Sequence, residues 1–257
     1  MEYVISAGAL TARVSSTGAQ LVSLKYENAE YLWQGGPEWP RRAPVCCPYC
    51  GAVEGGAFTW GGKTYAAPRH GFVRDAEHAL AERGGESLAF TFELGKNDGR
   101  WPWPFALRAE YRLGADTLAL RYDVANTGAE TMPLQLGFHP GFIAPAGSVI
   151  RAEKPELPGG TDTLALAPGL FDSGASIDLA APRSDWFRLE RPDGRSVTVG
   201  ARGFAWFLLW GAPGATPFAC LEPWSGYPGP GGMFDRPDAA ALAPGESFTR
   251  TLNISLA

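Results

Sequence analysis

Apolar residues alternate with small or polar ones along several stretches of this chain, the period of two that is typical of β-strands with one buried face. Three such stretches follow one another between residues 88 and 124, and another closes the sequence at residues 248–256. Turn-forming residues separate the stretches, as in Gly114-Ala115-Asp116. No amphipathic helix of three turns or more is recognisable. Antiparallel strands in series predict an all-β protein, either a sandwich or a barrel.

Length and composition narrow the possible partners and location. With 257 residues the chain can bury a large core without disulfides, and its 33 Gly and 22 Pro are spread along it, so we predict a single domain spanning 1–257. A net charge of −5 argues against nucleic acid and anionic membranes as partners. No apolar run approaches the roughly 20 residues of a transmembrane helix. The N-terminus lacks the basic region of a secretion signal, so the cytoplasm is the expected location.

The chain has three histidines, and imidazole is the side chain best suited to proton transfer near neutral pH. His70 and His139 are each flanked by glycine and an aromatic residue, as at a strand edge or bend. His78 lies among alanine and glutamate residues and is expected to be exposed. On residue type and setting alone, a histidine like His70 or His139 is more often a structural core or edge residue than a functional one.

Glu222 is a third candidate, because it follows an apolar run and precedes Pro223-Trp224. Burial beside an aromatic ring raises a carboxyl pKa and makes the carboxylate a stronger base. A strand-end turn is the structural alternative. Two histidines and a glutamate could also ligate zinc, but no closely spaced histidine pair supports this, so we predict no metal.

Taken in order, these segments resemble the aldose 1-epimerase (galactose mutarotase) family, in particular its shorter LacX-like bacterial branch. The resemblance rests on a His-Gly-Phe-x-Arg motif at residue 70, a Phe-His-Pro motif at residue 138 and a Glu-Pro-Trp-x-Gly motif at residue 222. Three further segments fit the same branch and extend the resemblance over nearly the whole chain, namely 30–35, 97–105 and 242–246.

This resemblance implies a large antiparallel β-sandwich that binds a sugar on a concave face. It implies that Glu222 is the general base at the anomeric hydroxyl and that His139 is the general acid at the ring oxygen. His70 would hydrogen-bond the sugar near the reacting centre. Such a reaction needs one base and one acid, and no metal, nucleotide or redox cofactor.

Three further residues are predicted to bind the substrate. Arg74 follows the first histidine motif and is expected to orient sugar hydroxyls, unless it forms a salt bridge with a strand neighbour. Asp98 belongs to one of the family-like segments, and Trp224 could stack on the apolar face of a sugar. Core packing is the alternative for Trp224.

Two positions depart from the pattern of this branch. Gly51-Ala52 stands where a Gly-Arg pair is usual, which predicts the loss of one substrate-contacting arginine. Gly229 stands where the family often has an aspartate. The three acid–base residues are present, but the binding residues around them are expected to differ.

Cys47-Pro48-Tyr49-Cys50 spells the redox motif of glutaredoxins, with Cys46 beside it. In glutaredoxins the first cysteine begins a helix, whereas no helical pattern follows here. The family resemblance instead implies a strand-to-loop passage near the rim of the active site. We therefore predict no redox role, and the four cysteines are expected to be thiols.

The sequence thus favours an epimerase that interconverts the α and β anomers of a free hexose. A hexose 6-phosphate is an alternative substrate, since Arg41, Arg42, Arg69 and Arg74 lie near the motifs. A non-catalytic sugar-binding or sensing module is the alternative from another class. A glycoside hydrolase needs two carboxylates, and only Asp98 is an obvious partner for Glu222.

Overall fold

The computed structural model describes residues 1–214 and 217–257, and its regular structure is almost entirely β-strand. The strands are β1 (Glu2–Ala7), β2 (Leu10–Ser15), β3 (Gln20–Tyr26), β4 (Ala29–Glu30), β5 (Val45–Cys46), β6 (Ala57–Trp60), β7 (Lys63–Ala66), β8 (Ala79–Arg83), β9 (Ser87–Leu94), β10 (Phe105–Leu113), β11 (Thr117–Asn126), β12 (Met132–Leu134), β13 (Gly137–Phe138), β14 (Gly141–Ile143), β15 (Val149–Ala152), β16 (Thr163–Ala165), β17 (Ile177–Ala180), β18 (Trp186–Glu190), β19 (Ser196–Gly200), β20 (Trp206–Trp210), β21 (Phe218–Trp224), β22 (Ala240–Leu242) and β23 (Ser247–Leu256). Short 3-10 turns occur at Glu54–Gly56, Val73–Asp75 and Met233–Asp235.

Two large antiparallel sheets form the body of the molecule. The first has nine strands in the order β16-β15-β18-β19-β23-β11-β10-β9-β8. The second has six, in the order β17-β20-β21-β13-β5, with β14 also paired to β21. Strands β1 to β4 form a smaller sheet, and β6-β7 and β12-β22 are two-stranded. The predicted all-β, antiparallel sandwich is confirmed.

The two large sheets pack face to face through aromatic residues. Phe187 of the nine-stranded sheet stacks on Phe207 of the six-stranded sheet, with ring centroids 4.0 Å apart. Tyr122 and Phe138 make a second contact between the sheets, at 5.5 Å. The apolar alternation predicted between residues 88 and 124 supplies the inner face of β9, β10 and β11. Burial of this face is the main driving force for the fold.

Strand β21 is buried along its whole length, although only one of its faces meets the nine-stranded sheet. Ala219 and Leu221 belong to the main core, whereas Cys220, Glu222 and Trp224 alternate with them and lie on the other face. Loops that precede β5 and follow β7 contribute side chains over this second face. The candidate site lies there.

His78 corrects one expectation from the sequence. It is buried, not exposed: 2% of its surface is accessible, its Nδ1 lies 3.0 Å from the carbonyl oxygen of Ala76, and its ring packs on Phe92. The alanine and glutamate residues next to His78 in sequence do not indicate that β9 covers it.

Among the residues that the structure describes, no helix is both long and apolar enough to span a membrane.

Candidate active site

Glu222 and His139 form a buried pair on the second face of the six-stranded sheet. Glu222 lies on β21, and His139 follows directly after β13, the strand beside it. His139 Nε2 and Glu222 Oε2 are 3.3 Å apart, and the two side chains are 9% and 2% exposed. A carboxylate and an imidazole 83 residues apart in sequence are thus held together by adjacent strands.

The position of the His139 ring is fixed from several sides. Its backbone N–H donates to the carbonyl oxygen of Pro44 at 3.1 Å. The Trp39 ring stacks on the imidazole at 5.1 Å, and Trp210 meets it edge-on at 5.8 Å. These rings leave little of the pair exposed, and low exposure strengthens electrostatic interactions within it.

Burial moves the two pKa values of the pair in opposite directions. Desolvation lowers the pKa of His139 to about 3, and it raises the pKa of Glu222 well above the ordinary carboxyl value. The charges of nearby arginines contribute to this lowering of the His139 pKa, after burial. Because both charged forms are disfavoured, the pair holds a single proton over a wide range of pH.

His70 lies beside the pair, with its ring 5.2 Å from that of His139 and at nearly a right angle to it. The N–H of Gly51 donates to His70 Nδ1 at 3.1 Å. Since a backbone N–H can only donate, Nδ1 carries no proton and Nε2–H is the ring's donor. Burial lowers the pKa of His70 well below 6.5, which keeps the ring neutral.

The loop that carries His70 depends on glycine. His70 itself has φ of 66°, and Gly71 follows with φ of 74°. A Cβ atom on Gly71 would lie 2.0 Å from the carbonyl oxygen of Cys47, so no other residue fits. The glycine of the His-Gly-Phe motif therefore lets this loop pack against the segment that follows β5.

These residues line one cavity of about 570 Å³. His70, His139, Glu222 and Trp224 line it. Three arginines also line it, namely Arg41, Arg69 and Arg74. A larger groove of about 1040 Å³ lies beside Trp60 and Trp103, but its lining residues include no histidine. Of these two cavities, only the first combines a carboxylate, imidazoles and arginines among its lining residues.

The arginines differ in how free they are to bind a ligand. Arg41 donates to Asp75 at 2.9 Å, and Arg74 lies 3.7 Å from the same carboxylate. Arg74 is 13% exposed at its side chain, and burial followed by the charge of Arg41 lowers its pKa. Its Nε is buried and has no hydrogen-bond acceptor. Arg74 thus lines the cavity, as the sequence suggested, and also contacts an acidic neighbour.

Trp224 and Asp98, also predicted to bind substrate, have different positions. Trp224 lines the cavity, and its ring meets His70 edge-on at 5.4 Å. It is 4% exposed and packs on Cys46 and Leu208, so one side chain takes part in both the core and the cavity wall. Asp98 does not line this cavity; it accepts hydrogen bonds from Arg100 in the loop between β9 and β10.

Sequence reasoning missed Asp178 and Tyr227, which also line the cavity. Asp178 lies on β17 and accepts hydrogen bonds from the hydroxyls of Tyr227 and Ser176. Tyr227 stacks on Trp206, which fixes its ring. Asp178 is 44 residues from Glu222 and belongs to no motif, so only the pairing of β17 with β20 brings it to the site.

Of the two departures from the family pattern, only Gly229 has a physical reason in the structure, because the contact of Ala52 is made by its backbone. The carbonyl oxygen of Ala52 accepts from buried Arg236, which also donates to Gln135 and to the carbonyl of Cys50. At Gly229 a Cβ atom would lie 2.5 Å from Pro237 Cδ, so an aspartate does not fit this backbone.

The cysteines of the Cys-Pro-Tyr-Cys motif are buried free thiols, and no helix follows them. Cys46 Sγ lies 3.2 Å from His70 Nδ1, so this residue touches the site although the sequence gave it no role there. Cys220 Sγ, a His139 ring nitrogen and a Glu222 carboxylate oxygen lie within 4.8 Å of one another. These three are the side chains here that could hold a metal ion.

Comparison with known proteins agrees with this architecture. The family model described as aldose 1-epimerase matches residues 1–168, a stretch that includes both histidines. The plasmid-encoded protein LacX of Lactococcus lactis subsp. lactis is 29% identical over 254 residues, covering 84% of this chain and 85% of its own length. A galactose mutarotase-like protein of Lactobacillus casei is 25% identical with a TM-score of 0.91, and both chains are covered completely. A galactose mutarotase related enzyme of Lactobacillus acidophilus has a TM-score of 0.93 at 24% identity, covering 100% of this chain and 97% of its own.

Proposed function

The chain belongs to the aldose 1-epimerase family, and from this premise we propose that it interconverts the α and β anomers of a hexose. The observation that carries the proposal is the buried Glu222–His139 pair, 3.3 Å apart, at the wall of a cavity that a sugar can enter.

We propose that residues 1–257 act as one domain of this type. The cytoplasm remains a prediction from the sequence.

Burial favours the proton of the pair on Glu222, so in the proposed reaction this proton first passes to His139 and leaves Glu222 as the carboxylate. Glu222 then removes the proton from the anomeric hydroxyl while His139 protonates the ring oxygen. The bond between C1 and the ring oxygen breaks and an open-chain aldehyde forms. Rotation about the C1–C2 bond followed by reclosure, with the two roles reversed, gives the other anomer. The pair holds one proton before and after, so the cycle requires no proton from solvent.

The surrounding residues have supporting roles in this proposal. His70, with its proton on Nε2, is a neutral hydrogen-bond donor beside the reacting centre. Asp178 is an acceptor for a sugar hydroxyl, and Tyr227 holds it in place. Trp39 and Trp224 supply apolar walls, which suit the C–H faces of a pyranose.

Polarimetry tests the proposal directly. Crystalline α-glucose and α-galactose are dissolved, and the approach to anomeric equilibrium is followed with wild type, Glu222→Gln and a matched control, Glu82→Gln, whose carboxylate lies in the exposed strand β8. We expect wild type and Glu82→Gln to accelerate the change, and Glu222→Gln to lose at least about 100-fold in rate. Activity that survives Glu222→Gln contradicts the assignment of the base.

Three arginines at the cavity favour a second candidate substrate, a hexose 6-phosphate. Arg69 is exposed at the cavity, and guanidinium groups bind phosphate well. The test compares kcat/KM for glucose and glucose 6-phosphate, in wild type and in Arg69→Gln. A preference for the phosphate that Arg69→Gln reduces supports the phosphosugar. Sugar binding by calorimetry without any acceleration of either substrate supports the non-catalytic binding module instead.

A further inference from the structure

The acid–base pair has an unexpected third neighbour in Cys220. Cys220 and Glu222 are two residues apart on β21, so their side chains lie on the same face of the strand. His139 joins them from the end of β13, and the three residues are all buried. Their ligand atoms lie within 4.8 Å of one another. Thiolate, imidazole and carboxylate are the three groups with which proteins bind zinc.

The geometry of the pair suits a tetrahedral ion. Bonds of about 2.0 Å to nitrogen and oxygen, at the tetrahedral angle, place the two ligand atoms about 3.3 Å apart. His139 Nε2 and Glu222 Oε2 are separated by 3.3 Å. In the structure Glu222 Oε2 is buried and receives no hydrogen bond, so no donor has to be displaced. Zinc bonds of about 2.3 Å to sulfur and 2.0 Å to nitrogen or oxygen place these atoms about 3.5 Å apart, so the Cys220 sulfur, within 4.8 Å now, has to approach by about 1.3 Å at most.

We propose that Cys220, Glu222 and His139 form an inhibitory binding site for Zn²⁺, with the fourth coordination position open to the cavity. Zinc in this position engages both the base and the acid, and it keeps the sugar from reaching them. Binding of the ion is independent of the proposed epimerase activity, whereas the inhibition rests on it. The site is distinct from a cofactor site, because the ion blocks the groups that carry the proposed reaction.

The charges around the site set the conditions for binding. Thiolate and carboxylate supply two negative charges, and Asp178 adds a third at the same cavity. Arg41, Arg69 and Arg74 line the cavity too and oppose a cation. Zinc must displace the protons of the thiol and of the Glu222–His139 pair, so affinity is expected to rise with pH. The sequence has no zinc-binding motif here, because two ligands lie on β21 and the third follows β13.

Direct binding is the decisive experiment, with metal-free protein titrated with ZnCl₂ by calorimetry and with CoCl₂ by absorption spectroscopy. Wild type is compared with Cys220→Ala and with Cys47→Ala, a matched change at a buried thiol in the main core. We expect one equivalent of metal and a thiolate-to-cobalt charge-transfer band in wild type and in Cys47→Ala. Cys220→Ala should lose the band and at least about tenfold in zinc affinity.

Inhibition is measured in the same three proteins by polarimetry. Zinc should slow wild type and Cys47→Ala, whereas Cys220→Ala should keep the basal rate and need at least about tenfold more zinc for the same inhibition. Absence of zinc binding to wild type, or a cobalt–thiolate band that persists in Cys220→Ala, overturns the proposal. If wild type binds metal through Cys220 but accelerates no sugar, the metal site stands and the proposed epimerase fails.

Discussion

Replacing His139 by glutamine should change how stability depends on pH, and the size of this change follows from burial of the ring. The pKa of His139 is about 3 in the folded protein, against about 6.5 for a histidine in an unfolded chain. Its neutral form therefore contributes full stability above pH 6.5, and this contribution is lost as pH falls through 6.5 towards 3.

At pH 5 His139 is protonated in the unfolded chain and neutral in the folded protein. The interval between pH 6.5 and pH 5 is about 1.5 units at 1.36 kcal/mol per unit, so acidification from pH 7 to 5 costs about 2 kcal/mol through this residue alone. Glutamine has no such titration. Relative to wild type, His139→Gln should gain about 2 kcal/mol over the same interval, whatever its stability at pH 7.

Glu222 supplies an internal control of opposite sign. Its folded pKa is raised, so its contribution is fully present below the ordinary carboxyl pKa and is lost as pH rises through the folded value. Glu222→Gln should therefore lose stability relative to wild type on acidification, where His139→Gln gains it. His78, whose pKa is also lowered, titrates in all three proteins and cancels in the comparison. The His70 pKa is lowered by burial and then by His139, so His139→Gln relieves part of that shift and adds to the gain in the same direction.

The assay is urea unfolding, followed by tryptophan fluorescence at pH 7, 6 and 5 for wild type and both variants. Parallel stability curves for wild type and His139→Gln would refute the reasoning, because they would mean that the folded ring accepts a proton as readily as an unfolded one. Equal slopes for the two variants would likewise show that the pair does not share a proton.

Three further predictions concern the loop, the excluded aspartate and the rate. Gly71→Ala should lower the free energy of unfolding by more than about 2 kcal/mol, because its Cβ atom would lie 2.0 Å from the carbonyl oxygen of Cys47 and φ is positive. An unchanged midpoint in urea unfolding would contradict this. Asp98→Asn should leave kcat and KM for the sugar unchanged, since Asp98 lies outside the cavity, and a KM raised about tenfold would place it in the site. The acid limb of kcat/KM should lie well below pH 6.5, because burial keeps a second proton off His139; a limb near 6.5 would show an ordinary histidine.

Much of the fold was predictable because periodicity and burial coincide. The alternation between residues 88 and 124 predicted strands, and the structure has β9, β10 and β11 there, inside the nine-stranded sheet. The motif residues His70, His139 and Glu222 meet at one cavity, since each lies in or beside a segment that reaches the six-stranded sheet.

Other features depend on tertiary pairing and leave no local trace. His78 is covered by Phe92, a residue of another strand. Asp178 reaches the cavity through the pairing of β17 with β20. In the sequence, Cys220 is part of an apolar run. Only the structure shows that its sulfur lies close to His139 and Glu222. Asp98 shares a family-like segment with Arg100 and pairs with it, whereas the cavity lies elsewhere.

The position of β23 in the nine-stranded sheet has a consequence for biosynthesis. This strand pairs with β11 on one side and with β19 on the other, so it joins two groups of strands that otherwise share no ladder. Every other strand of the sheet leaves the ribosome before it. Until residues 247–256 emerge, β11 and β19 expose unpaired edges, which are the surfaces through which nascent chains aggregate. Completion of the sheet is therefore a late event in the folding of these strands.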